Sequence, residues 1–81
     1  MQTFLEFVVK QLVDRPDSVS VTAVDKNSLT VYELRLDSED VGKIIGRKGA
    51  TIQAIRSLLQ AGSAKQGKRC TVDIIEDDDG L

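Results

Sequence analysis

Two apolar helical patterns in this chain are separated by only four residues, Gly46-Arg47-Lys48-Gly49, and no other stretch limits the fold so tightly. Before the break, Val41, Ile44 and Ile45 share a short helical face expected to turn inward. After it, Ile52, Ile55 and Leu59 stand at i, i+3 and i+7, so a longer helix is expected from about Ala50 to Ala61. Gly46 can take the left-handed conformation that ends many helices. The two helices must then meet across a turn, with the unpaired N–H groups and partial positive charge of the second helix at the junction. Such a junction suits an anion. Neither glycine carries a Cβ that would hold a phosphate backbone away from the main chain, and Arg47 and Lys48 add two mobile cations. Glycines between helices are also plain caps, so four residues alone leave both readings open.

The rest of the chain supplies a frame. Residues 3–14 place Leu5, Val8 and Leu12 on one helical face, and Arg15-Pro16-Asp17 ends that helix because proline disfavours helix in the residue before it. Val19, Val21 and Ala23 alternate with polar residues as a strand does. Asp25-Lys26-Asn27-Ser28 supplies turn chemistry, and a second extended run covers 29–37 with Tyr32, Leu34 and Leu36 on one face and Glu33 and Arg35 on the other. Ser38 is the expected N-cap of the short helix, with Glu39 and Asp40 in its first turn. Residues 62–69 are small, polar and basic, which reads as a loop, although the helix before them could persist to about Gln66. Cys70, Val72 and Ile74 then alternate as a last strand, and Glu76 to Leu81 forms an acidic tail expected to fray. The expected class is α+β in the order αββααβ, with three helices on one face of a three-stranded mixed sheet.

Composition bounds the function. At 81 residues only one domain is expected, spanning 1–81, and its stability margin is small enough that a second subunit could add to it. One cysteine, Cys70, permits neither an internal disulfide nor a cysteine-based zinc site, and fits a reducing cytoplasm. No signal peptide and no apolar run of bilayer length is present, so membrane association is not expected. No cofactor or metal site is suggested. The chain has no histidine, the side chain most used for proton transfer near neutral pH. Its acids fall at turns, helix starts and the tail, so an enzyme is not the expected class. The net charge of −2 hides a segregation: Val41 to Val72 holds seven basic and no acidic residues, while the remainder carries −9. Surface charges reach only about 8 Å at physiological salt, so a polyanion responds to the local excess.

Ile45-Gly46-Arg47-Lys48-Gly49-Ala50-Thr51-Ile52 reproduces the I-G-x-x-G-x-x-I signature of KH domains. Asp40 to Gly49, Ala54 to Leu59 and Gly67-Lys68-Arg69 extend the likeness to stand-alone bacterial KH proteins of the KhpA or YlqC type. The resemblance covers nearly the whole chain, and the helix and strand that precede the core match the type II, or prokaryotic, arrangement. It implies binding of single-stranded RNA, with Gly46, Arg47, Lys48 and Gly49 clamping the backbone of about four nucleotides. Ile44, Ile45 and Ile52 match aliphatic positions around the groove and could equally be core; for Ile52 core is favoured. Lys43 and Arg56 should flank the clamp. Lys65, Lys68 and Arg69 fall in the variable loop, where an electrostatic role is expected. The only aromatics, Phe4, Phe7 and Tyr32, lie away from the loop, so stacking is not indicated. A post-transcriptional regulator or RNA chaperone would fit such a protein.

Leu58 lies about 80° from the Ile52, Ile55 and Leu59 stripe, beside Ala54 and Ala61. This second apolar face is either the margin of a wide core stripe or a self-association surface. KhpA-type proteins, by resemblance, form homodimers and also pair with a larger Jag-type KH protein. A dimerisation or protein-interaction adaptor in which RNA binding is incidental is therefore the competing class.

Overall fold

A computed structural model describes residues 2–75, and the acidic tail lies outside the described residues. Helix α1 (Gln2–Leu12) buries Leu5 and Val9, with Val8 and Val13 packed against the same cluster. Leu5 and Val8 thus turn to the core as expected, Val9 is buried beside them, and Leu12 is not. Leu12 falls about 60° from Val9 at the helix's last position and stays 41% exposed.

A turn of 3-10 helix at Pro16–Ser18 leads to strand β1 (Ser20–Lys26), which pairs antiparallel with β2 (Leu29–Arg35). Asn27 and Ser28 both have positive φ, 49° and 72°, the signature of a two-residue type I′ turn whose twist matches that of the strands. The connecting loop is therefore two residues long, shorter than the four suggested by composition. Strand β3 (Arg69–Ile75) pairs parallel with β2, with Tyr32 opposite Val72 and Leu34 opposite Ile74, so the sheet is mixed with order β1-β2-β3. Parallel pairing needs a long crossover. Helices α2 (Val41–Ile45) and α3 (Ala50–Ala64) provide it.

Leu5, Leu34, Ile44, Leu59 and Val72 are fully buried between the helices and one sheet face. Each contributes roughly 1.5–3 kcal/mol of apolar burial. Ala23, expected on the buried face, is exposed. Val31 is buried outside this core, on the opposite face of the central strand. The N-cap ahead of α2 is Asp37, not Ser38: its side chain accepts the Glu39 N–H at 2.9 Å and opens a turn of 3-10 helix, Ser38–Asp40, that runs into α2. Helix α3 persists beyond Ala61 and closes on Gly67 (φ 71°), where Lys68 N–H reaches Ser63 C=O and Gly67 N–H reaches Ala64 C=O. That pair of bonds is a Schellman cap. Ser63 is buried and donates its hydroxyl to Cys70 Sγ at 3.1 Å, tying the end of α3 to the start of β3. No helix among the described residues is long and apolar enough to cross a membrane.

Candidate nucleic-acid interface

Helix α2 is little more than one turn, too short to hold itself, so its direction comes from what it packs on. Val41 and Ile44 are buried in the core, whereas Ile45, expected inward, is 38% exposed next to the junction. Adjacent helical positions point about 100° apart, and in this short helix Ile44 takes the one that faces the core. Ile52 is core. Of the three aliphatic residues weighed for a groove, Ile45 alone presents surface.

The junction then turns through an unusual backbone path. Gly46 has φ 75° and ψ 178°, a region open essentially to glycine alone. Lys48 (φ 57°, ψ 27°) and Gly49 (φ 76°, ψ 11°) follow in left-handed conformations. The two glycines serve different ends. A Cβ on Gly46 would collide with Thr51 Oγ1 and stand 2.9 Å from Thr51 N, so this glycine is required by the fold. A Cβ on Gly49 would meet only Ile52 Cγ2, at 4.0 Å. The space beside Gly49 is open to an approaching chain. Gly49 N–H bonds Gly46 C=O and Ala50 N–H bonds Arg47 C=O. The amides of Arg47 and Lys48 have no acceptor among the described residues.

The basic residues differ sharply in what engages them. Arg47 and Lys48 are exposed and form no ion pair with any described carboxylate. Lys43 is engaged: its Nζ lies 3.0 Å from Asp14 Oδ2 and 3.2 Å from Asp40 Oδ1. Hydrogen bonds from its ammonium to Asp14, then to Asp40, outweigh its desolvation and raise its pKa above the ordinary lysine value. Arg56, half-buried, donates from Nε and Nη2 to the Val72 carbonyl on the edge strand at 3.3 and 3.0 Å. The Ser63–Cys70 and Arg56–Val72 contacts run in opposite order along α3 and β3, so the two elements are antiparallel. Arg47 and Lys48 therefore sit at one end of α3. Lys65, Lys68 and Arg69 sit at the other, about 25 Å away by the rise of the helix. A cavity of about 580 Å³ lies at that far end, lined in part by Gln60, Ala64, Lys68 and Arg69.

Leu58 is 58% exposed, and Ala54 and Ala61 are exposed with it, which excludes the margin of a wide core stripe. Asp40, read from sequence as a solvated first-turn acid, is only 1% exposed. Thr51, which walls in Gly46, was also not distinguished in the sequence. The signal for Asp40 was its i, i+3 relation to Lys43.

Two helices joined by GxxG, carried on an αββααβ frame with a parallel edge strand, define a KH domain of type II. The chain belongs to the KhpA/KhpB KH-domain family, whose model matches residues 2–74. It is similar to the RNA-binding protein KhpA of Chlamydia caviae, 40% identical over 77 residues that span 95% of this chain and 99% of the relative. The RNA-binding protein KhpA of Borreliella burgdorferi is 44% identical over 72 residues, 89% of this chain and 88% of the relative. That of Clostridium acetobutylicum is 41% identical over 75 residues, covering 93% of this chain and all of the relative.

Proposed function

We propose that this chain binds single-stranded RNA through the sugar-phosphate backbone, gripping it at Gly46-Arg47-Lys48-Gly49, and acts as a post-transcriptional regulator or RNA chaperone in the cytoplasm. The observation that carries the reading is the state of the junction: among the described residues, the exposed cations Arg47 and Lys48 have no carboxylate partner and their own amides have no acceptor. The relatives' name, RNA-binding protein, supports the same partner. Ile45 offers aliphatic surface beside the grip, and Arg56 and the β3 edge form the adjoining wall. Lys68 and Arg69 attract the chain electrostatically from the far end. Lys43, neutralised by Asp14 and Asp40, contributes little net charge toward RNA.

The salt dependence of affinity tests this reading. For single strands, the slope of log K against log salt is about −0.7 for each phosphate neutralised. Arg47 and Lys48 alone give a slope of about −1.4, and Lys68 and Arg69 would extend it to about −2.8. An affinity that stays flat between low and moderate salt would contradict backbone contact.

Self-association belongs to the same proposal, because Leu58 with Ala54 and Ala61 forms an exposed apolar strip on α3 away from the grip. A homodimer through this face would place two grips on one RNA and raise avidity without new contacts. The same face is offered to a larger Jag-type KH partner. Leu58→Asp is expected to convert a dimer to a monomer in sedimentation while leaving the circular dichroism spectrum unchanged; an unaltered mass from a dimeric parent would place the interface elsewhere.

A further inference from the structure

Asp40 is the only charged side chain fully buried among the described residues. Its Oδ1 accepts the Asp14 N–H at 3.3 Å and the Lys43 ammonium at 3.2 Å, and its Oδ2 accepts the Arg15 N–H at 3.1 Å. Burial pushes its pKa up, but the Asp14 amide, the Lys43 ammonium and the Arg15 amide together outweigh that and hold it below the ordinary aspartate value. The carboxylate thus joins three pieces of chain. Asp14 and Arg15 are the stretch leaving α1, Asp40 closes the turn before α2, and Lys43 lies on α2, whose next residues are Ile44, Ile45 and the junction itself.

A five-residue helix cannot fix its own orientation. Two of its side chains, Val41 and Ile44, enter the core, and apolar contacts alone leave rotation and sliding loosely specified. The directional bonds at Asp40 supply what those contacts lack. We propose that Asp40 is a positioning residue for the RNA grip: it sets the direction of α2, and so the place of Gly46 to Gly49, with Lys43 as its counterion and not as a phosphate contact. This rests on the junction being the RNA grip.

The test compares Asp40→Asn, Lys43→Gln and Arg47→Gln in the full chain, using a short unstructured RNA oligonucleotide and amide resonances of the free protein. Asp40→Asn keeps the shape but turns an NH2 toward one of the three donors. Its RNA affinity should fall about tenfold, the worth of one weakened charge-assisted hydrogen bond, with the salt slope unchanged. Arg47→Gln should lose affinity and flatten the slope by about 0.7. In the free protein, the Arg47 and Lys48 amide resonances should move in Asp40→Asn but not in Asp17→Asn, a control at an exposed acid. Lys43→Gln should behave as Asp40→Asn does, and it decides the matter if Asp40→Asn does not fold. Wild-type affinity and unmoved resonances in a folded Asp40→Asn would overturn the proposal, as would a slope flattened by Lys43→Gln. Should the parent protein or Arg47→Gln show no RNA response, the grip reading falls, and the resonances still decide whether Asp40 sets the junction.

Discussion

Reversing both loop charges, Arg47→Asp with Lys48→Asp, is expected to weaken RNA binding by at least about a hundredfold at moderate salt while leaving the fold intact. Two charge-assisted hydrogen bonds are worth about 1.5–3 kcal/mol each, and the substitution replaces attraction by repulsion. The fold should tolerate it for three reasons. Neither side chain is buried or ion-paired with a described carboxylate. Aspartate enters the left-handed conformation of position 48 more readily than most residues. Negative charge at the start of α3 complements the helix dipole. The change in unfolding free energy should therefore stay within about 0.5 kcal/mol, measured by urea titration. Retention of full RNA affinity in a folded double variant would contradict the grip, whereas lost RNA binding with partner and function retained would favour the adaptor reading.

The second large effect concerns stability, and it separates two glycines that look alike in sequence. Gly46→Ala forces a side chain into a backbone region that costs about 1–3 kcal/mol for a non-glycine residue, and drives its Cβ into Thr51. Overpacking adds about 1–3 kcal/mol more, so a loss near 4 kcal/mol is expected. For a domain this small, that is most of its stability. Removing the Thr51 side chain would not restore it, because the Thr51 backbone N lies 2.9 Å from the same Cβ. Gly49→Ala should cost only about 1 kcal/mol, since the conformation is ordinary left-handed helix and the space is open. The order reverses for RNA: a folded Gly49→Ala protein places a methyl group where the nucleotide backbone would approach. Thermal melts of the two variants, with RNA titrations of whichever folds, check both halves; equal melting temperatures would contradict the assignment.

Periodicity made the element order and the junction legible, because helices and strands announce themselves by spacings of 3.6 and 2. It failed where two candidates share a face and only tertiary packing chooses. Val9 displaced Leu12 in α1, and Ile44 took the core position while Ile45 remained outside. The Asp37 cap was missed by one residue because aspartate and serine serve equally well there. At the site, the cations could be counted but their engagement could not. Lys43 and Arg56 look like Arg47 and Lys48 in sequence; their partners, Asp14 and the Val72 carbonyl, are 29 and 16 residues away. Local charge segregation thus located the basic surface without saying which of its members are held by the protein itself.

The proposed seat of the RNA is the junction between α2 and α3. A titration of the labelled protein with a short unstructured RNA, followed by amide resonances, tests it most directly. The expected result is saturable shifts greatest at Gly46 to Ala50, with smaller ones at Ile45, Arg56 and the β3 edge, and their loss in the double charge reversal. Shifts confined to α1 or to the open sheet face, with the junction unmoved at saturation, would contradict it.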